Sequence, residues 1–129
     1  MRGGRLAASL VVFLVLLMAG GVGFPAQKGD PKAGKKSYDL LCGSCHGASG
    51  KGDGPAAASL PAKPRSLTDG KSMNALKDQY LFDVIKKGGA SVGKSPLMPP
   101  WGGQLSDQDI WNVVSYIRSL AVPPYKAAQ

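Results

Sequence analysis

The clearest hydrophobic pattern in this chain lies near its carboxyl end. Apolar residues recur there at the i, i+3, i+4 and i+7 spacing of one helix face: Ile110, Val113, Val114, Ile117 and Leu120. Ser106 and Asp109 resemble a capping box at the start of this stretch, and Pro123 follows its end, where a helix cannot continue. The pattern therefore predicts a helix over residues 107–120.

A second amphipathic stretch begins at Asp30, a good N-cap residue, and Pro31, which suits the first turn of a helix. One face of this stretch holds Ala33, Ser37, Tyr38 and Leu41. Gly34 lies beside Tyr38 on this face, and glycine is costly inside a helix unless another backbone has to come close. We therefore predict a helix over residues 31–41 with a close backbone contact at Gly34.

A third helix is predicted over residues 78–87, where the apolar residues are Leu81, Phe82, Val84 and Ile85. Gly88 and Gly89 end it, with two lysines in its last turn, where positive charge is favourable. Lys77 occupies the position where a Ser or Thr N-cap is expected. The start of this helix is therefore less well defined than its carboxyl end.

Long stretches rich in Gly, Pro and Ala separate these helices, at residues 47–70 and 88–103. Loops of this length inside a small domain are usually functional or disordered, and wrapping a cofactor is a functional reason for them. The sequence has no internal repeat and no alternating strand pattern. The predicted fold class is all-α, with about three main helices and long loops.

The first residues have the pattern of an export signal. Arg2 and Arg5 form a short basic head, residues 6–18 are almost continuously apolar, and small residues follow. We predict that residues 1–23 are a signal peptide cleaved after Gly21 or Gly23; the alternative is an uncleaved anchor at the short limit of what spans a bilayer. Either alternative exports residues 24–129, which then form one domain.

Without residues 1–23 the chain has 106 residues, and its formal net charge falls from +8 to +6 because two arginines leave. A domain of this size that is rich in Gly and Pro has few apolar side chains to pack and usually needs additional stabilisation, such as a large apolar cofactor. Its lysines are scattered, and no basic stripe alternates with aromatic residues. Nucleic-acid binding is therefore not expected.

The run Cys42-Gly43-Ser44-Cys45-His46 has the C-x-x-C-H spacing of a c-type haem attachment site. Two thiols this close can form thioether bonds to the two vinyl groups of one haem. The adjacent His46 can then supply an imidazole nitrogen as the proximal iron ligand. The motif predicts one covalently bound haem c.

Other interpretations of these cysteines are weaker. A thiol–disulfide redox pair normally follows a strand in a βαβ unit, whereas a predicted helix precedes Cys42. A structural zinc site needs about four ligands, and the chain has only two cysteines and one histidine, all in this motif. A plain disulfide leaves His46 unexplained.

The second axial position of the haem iron has few candidates. The chain has one histidine, so the choice lies among methionine, an open site and lysine. Met1 and Met18 belong to the export segment, which leaves Met73 and Met98. Met98 lies between prolines that fix the backbone, so its loop can hold a sulfur in place. We predict His46 and Met98 as the metal ligands.

With these ligands the chain resembles a class I (monohaem, His/Met-ligated) bacterial cytochrome c over residues 30–120. The resemblance rests on Gly34 and Tyr38, Cys42-x-x-Cys45-His46-Gly47, Met98-Pro99, and Ile110-Trp111 with Tyr116-Ile117. It implies the cytochrome c fold, in which long loops wrap one covalent haem. It also implies that the first and last helices cross near Gly34, with Tyr38 and Tyr116 packed at the crossing.

The resemblance further implies a proline whose carbonyl accepts a hydrogen bond from the second ring nitrogen of His46. Pro55 is the first candidate, with Pro61 and Pro64 as alternatives. Haem propionates need hydrogen-bond donors, for which the Arg65 guanidinium and the Trp101 indole are candidates. The predicted cofactor-binding residues are Cys42, Cys45, His46, Met98, Pro55, Arg65 and Trp101.

These residues predict a periplasmic or membrane-associated one-electron carrier rather than an enzyme. The net positive charge indicates redox partner proteins with acidic docking faces. Candidate docking residues are Lys51, Lys86, Lys87 and Lys94, although lysines also serve solubility alone. The alternatives are the haem subunit of a dehydrogenase or oxidase complex, or a haem enzyme or gas-binding protein with an open sixth site.

Overall fold

Helices carry almost all the regular structure of residues 29–126, the part of the chain that this computed structural model describes. They are α1 (Pro31–Leu41), α2 (Gly43–His46), α3 (Gly70–Asn74), α4 (Asp78–Lys87) and α5 (Asp107–Leu120), with short 3-10 turns at Ala57–Ser59 and Gly89–Val92. The described residues contain one isolated β-bridge, between Asp69 and Val122. The all-α prediction and the bounds of the three main helices are confirmed. The predictions for residues 1–23 lie outside the described residues.

Helix α1 begins and ends as its sequence predicts. The side chain of Asp30 accepts a hydrogen bond from the backbone N–H of Lys32 (2.9 Å), and Pro31 occupies the first turn. At the other end, the backbone N–H of Cys42 donates to the carbonyl of Tyr38 (2.8 Å), and the one-turn helix α2 follows at once. The C-x-x-C-H motif is therefore held in a helical turn at the end of α1.

Helices α1 and α5 cross in close contact. The carbonyl group of Asn112 lies directly against Gly34, where no Cβ would fit. The rings of Tyr38 and Tyr116 pack edge to face next to this point, with centroids 5.0 Å apart. The predicted crossing of the first and last helices is confirmed, with the aromatic pair that was expected.

The core is built on the buried face of α5. The capping box is present: the hydroxyl of Ser106 accepts from the backbone N–H of Asp109, whose carboxylate accepts from the backbone N–H of Ser106. Ile110 and Val113 are completely buried. Helix α4 packs on the same core through Leu81, Phe82 and Ile85. The predicted apolar stripe is thus the centre of the fold.

The sequence pattern missed helix α3. Asp69 caps it by accepting hydrogen bonds from the backbone N–H groups of Lys71 and Ser72. The backbone N–H of Gly70 donates to the carbonyl of Val122 (3.0 Å), which ties α3 to the segment after α5. Met73 points into the core and is completely buried.

Candidate haem site

The C-x-x-C-H motif opens onto a cavity of about 750 Å³, which is within the range of cofactor sites. Helix α4 and the loops over residues 60–67 and 94–101 complete its wall, which is mainly apolar. Both loop regions belong to the Gly- and Pro-rich stretches for which the sequence indicated a wrapping role. The cavity and these loops together form a largely apolar site beside the two cysteines.

Local hydrogen bonds fix the conformation of the motif. The backbone N–H of His46 donates to the carbonyl of Cys42 (2.9 Å), and that of Gly52 donates to the carbonyl of His46 (2.7 Å). The buried hydroxyl of Tyr38 donates to the carbonyl of Gly47 (2.7 Å). Helix α1 therefore fixes Gly47 through Tyr38, a side chain that also packs at the crossing with α5.

His46 is ready to act as a neutral imidazole ligand. Burial lowers the pKa of its ring, and the backbone carbonyl of Arg65 opposes that effect only in part. Nδ1 lies 3.4 Å from this carbonyl oxygen and donates to it when it carries the ring proton. Nε2 is then the unprotonated nitrogen that can bind a metal.

The expectation that Pro55 supplies this acceptor is wrong. Pro55 is exposed and lies outside the cavity wall, because the backbone N–H of Ala56 is bonded to the carbonyl of Ser44 (2.9 Å) and holds this turn beside α2. The carbonyl that faces the ring of His46 belongs to Arg65, ten residues further along the chain. Pro64 lines the cavity but stands one residue before the acceptor, and Pro61 does not line it.

The environment of Cys42 differs from that of a reactive thiol in a redox pair. Cys42 and Cys45 form no disulfide with one another. Burial, with a smaller contribution from Cys45, raises the pKa of the Cys42 thiol to about 11. Thiol–disulfide catalysts have lowered thiol pKa values, because the thiolate is the reactive form. Helix α1 also precedes the motif where such catalysts have a strand. The thiol–disulfide alternative is therefore disfavoured.

A structural metal site of protein side chains receives no support either. Within residues 29–126, no three His, Cys, Asp or Glu side chains come together in a way that could hold a metal ion.

Of the two methionines in the described residues, only Met98 lines the cavity. Its carbonyl accepts a hydrogen bond from the backbone N–H of Gly89 (2.9 Å), and its own N–H donates to the carbonyl of Ser95 (3.3 Å). Met73 instead fills the core beside α3. Backbone bonds and flanking prolines thus hold Met98 at the cavity, whereas Met73 is not part of the cavity wall.

Arg65 and Trp101 also line the cavity. The backbone N–H of Trp101 donates to the carbonyl of Ile85 (2.9 Å), which ties the end of the methionine loop to α4. The side chain of Arg65 is exposed at the cavity wall, and its carbonyl is the atom that faces His46. Both side chains are therefore positioned to donate hydrogen bonds to a cofactor in the cavity.

Of the four lysines proposed for docking, only Lys94 lines the cavity. Lys63, which the sequence analysis did not single out, also lines it. Lys86 forms an ion pair with Asp107 (2.7 Å), and Lys87 with Asp83 (3.2 Å). Lys51 is exposed away from the cavity wall. The sequence could have indicated Lys63 through its position two residues before Arg65, in a loop predicted to wrap a cofactor.

No helix within residues 29–126 combines the length and the hydropathy needed to cross a bilayer.

Comparisons with known proteins point to one family. Residues 31–121 match the family model described as Cytochrome c. The chain is 35% identical to cytochrome c-554(547) of Halothiobacillus neapolitanus over 94 residues, which cover 71% of this chain and 98% of that protein. It is 30% identical to cytochrome c6 of a Picosynechococcus strain over 115 residues, which cover 86% of this chain and 91% of that protein.

A similar fold occurs in a solved structure, a chain of the Kuenenia stuttgartiensis reducing HAO-like protein complex. The TM-score is 0.59 with 24% sequence identity, over 80% of this chain. The match spans half the length of that longer chain. This likeness concerns the fold.

Proposed function

This chain belongs to the cytochrome c family, as a bacterial class I member that carries covalent haem c and transfers electrons, and from this premise we propose which residues hold the haem. Cys42 and Cys45 form its two thioether bonds, His46 is the proximal ligand, and Met98 is the second axial ligand. The observation that carries this assignment is that all four side chains line one cavity.

The residues present fit such a group. Two thiols on one helical turn, a neutral imidazole and a thioether are the donors that a covalent His/Met haem requires. The mainly apolar wall, which includes Leu81, Ile85 and Ile117, suits a flat apolar macrocycle. Arg65 and Trp101 are the proposed donors to the haem propionates, as a guanidinium and an indole N–H at the same wall.

When bound, haem c supplies a one-electron Fe(III)/Fe(II) couple. A reduced partner protein would donate one electron to it, and an oxidised partner protein would accept that electron. The carbonyl of Arg65 fixes the ring of His46 and strengthens it as a ligand. The thioether of Met98 favours the reduced iron and raises the reduction potential. With His46 and Met98 as its two ligands, the iron would have no open position for a substrate, and we therefore propose a carrier rather than an enzyme.

We propose acidic redox partners that dock near Lys63 and Lys94, since these two lysines line the cavity. Lys86 and Lys87 contribute less, because a neighbouring aspartate balances each of them. The export pattern of residues 1–23 supports a periplasmic site of action, with membrane association if that segment is retained.

Carbon monoxide tests the carrier against a protein with an open sixth site. We expect the visible spectrum of the reduced, wild-type holoprotein to be unchanged by the gas, because Met98 fills the position where it binds. A potentiometric titration of the same sample should fit a one-electron Nernst curve. Rapid and complete formation of a carbon monoxide complex would contradict the proposal and favour a haem enzyme or gas-binding protein. Copurification with a stable partner would instead indicate a subunit of a larger complex.

A further inference from the structure

Arg118, near the end of α5, is a charged side chain that the fold buries, with 8% of the residue exposed. Its guanidinium donates three hydrogen bonds: to the carboxylate of Asp78 (2.7 Å), to the carbonyl of Met73 (2.6 Å) and to the carbonyl of Leu76 (2.6 Å). The ring of Tyr125 covers it, with the centroid 3.8 Å from the guanidinium carbon. This network binds α5 to the end of α3 and the start of α4.

The network lies directly behind the cavity wall. Leu76, whose carbonyl accepts from Arg118, lines the cavity, and so does Ile117, the neighbour of Arg118 in α5. Asp78 is the first residue of α4, which supplies Tyr80 and Leu81 to the same wall. Residues that line the cavity therefore contact or adjoin this charge.

The two charges of the Arg118–Asp78 ion pair are unequally exposed to water. The side chain of Arg118 is 7% exposed, whereas that of Asp78 is 44% exposed. Water screens the half-exposed carboxylate, while the guanidinium acts through the low-dielectric interior. Arginine also stays protonated at any pH that the protein withstands. The field that reaches the cavity from this pair is therefore positive.

We infer that Arg118 raises the reduction potential of the haem through this field, an inference that rests on the haem occupying the cavity as proposed. Oxidation adds one positive charge at the iron, and a permanent cation behind the wall makes that addition less favourable. Arg118 is thus a positioning residue of α3 and α4 and, separately, an electrostatic determinant of the potential. It touches neither the haem donors nor the cavity space.

Potentiometric titration of holoprotein variants at neutral pH separates the charge from the packing. Arg118→Gln removes the charge, and we expect the ratio of reduced to oxidised protein at a fixed solution potential to fall about three- to tenfold. Arg118→Lys keeps the charge but loses the forked hydrogen bonds, so the ratio should stay within about twofold while stability to denaturant decreases. Asp78→Asn removes the anion and should raise the ratio.

Lys71→Gln is the matched control, because it removes a positive charge from an exposed position on α3. Solvent and salt screen that charge, so the ratio should change by less than about twofold. The inference is wrong if Arg118→Gln behaves like this control, if Arg118→Lys lowers the ratio as much as Arg118→Gln, or if Asp78→Asn also lowers it. If Arg118→Gln fails to fold, the Asp78→Asn variant decides: a higher ratio of reduced to oxidised protein supports the inference, and a lower ratio contradicts it. Absence of covalent haem from the wild-type protein would instead contradict the site assignment.

Discussion

Gly34 of α1 lies directly against the backbone carbonyl of Asn112 in α5. The side chain of Asn112 adds to this contact, since its Oδ1 accepts a hydrogen bond from the backbone N–H of Asp30 (2.8 Å). The contact sets the distance between the two helices, and the edge-to-face pair of Tyr38 and Tyr116 follows from it. Because Tyr38 also holds the carbonyl of Gly47, the crossing reaches the haem-attachment motif through one side chain.

Gly34→Ala is therefore expected to destabilise the holoprotein by about 2–3 kcal/mol, because its methyl group would push the two helix backbones apart. Alanine would stabilise an isolated helix at this position, so the predicted sign is opposite to that of helix propensity. Chemical denaturation followed by circular dichroism measures the effect. Gly103→Ala is the control, because nothing lies within 4 Å of the added methyl group. Equal stabilities of the two variants would show that the crossing is looser than described.

Met98→Ala should leave the haem attached but remove its sixth ligand. We expect the oxidised protein to lose the weak long-wavelength absorption band that a Met–Fe(III) bond gives. The reduction potential should also fall, by a fraction of the roughly 0.8 V range that axial ligands control. Met73→Leu is the matched control: it changes a core methionine outside the cavity, and it should keep the band at a cost below about 1.5 kcal/mol. A band that survives Met98→Ala would remove Met98 from the ligand set.

Replacing both Lys63 and Lys94 with glutamine should slow reactions with anionic electron acceptors. Stopped-flow oxidation by hexacyanoferrate(III), an anionic one-electron oxidant, should slow by about two- to fivefold at low ionic strength. The difference should vanish near 1 M salt, where screening is nearly complete. Lys36→Gln is the control, because it removes an exposed charge of α1 that does not line the cavity. An equal loss of rate in the control would mean that net charge alone, and not this face, sets the rate.

The parts of the fold that the sequence predicted correctly are those with local signals. Helices α1 and α5 both have side-chain caps, and α5 also has a continuous apolar stripe, so the existence and the bounds of these helices followed from neighbouring residues. Helix α3 has five residues, too few for a period to be visible, and its stability comes from the Asp69 cap and from the contacts of Met73 with the core.

The candidate site divides in the same way. The C-x-x-C-H spacing and the prolines around Met98 are local, and the cavity wall includes both. Which carbonyl accepts the hydrogen bond from the His46 ring depends on the path of the loop over residues 47–70. No local sequence pattern predicts that path. Pro55 was therefore the wrong candidate. Arg118 escaped notice because its hydrogen-bond partners are 40 or more residues away in the sequence.

The attachment of the haem itself is the most direct test of this account. Intact-mass spectrometry of the purified, denatured holoprotein should give the mass of the polypeptide plus one haem. Peptide mapping should locate both thioether bonds on Cys42 and Cys45. Colour that is fully extracted by acidified acetone, with both thiols then free to react with an alkylating reagent, would contradict it.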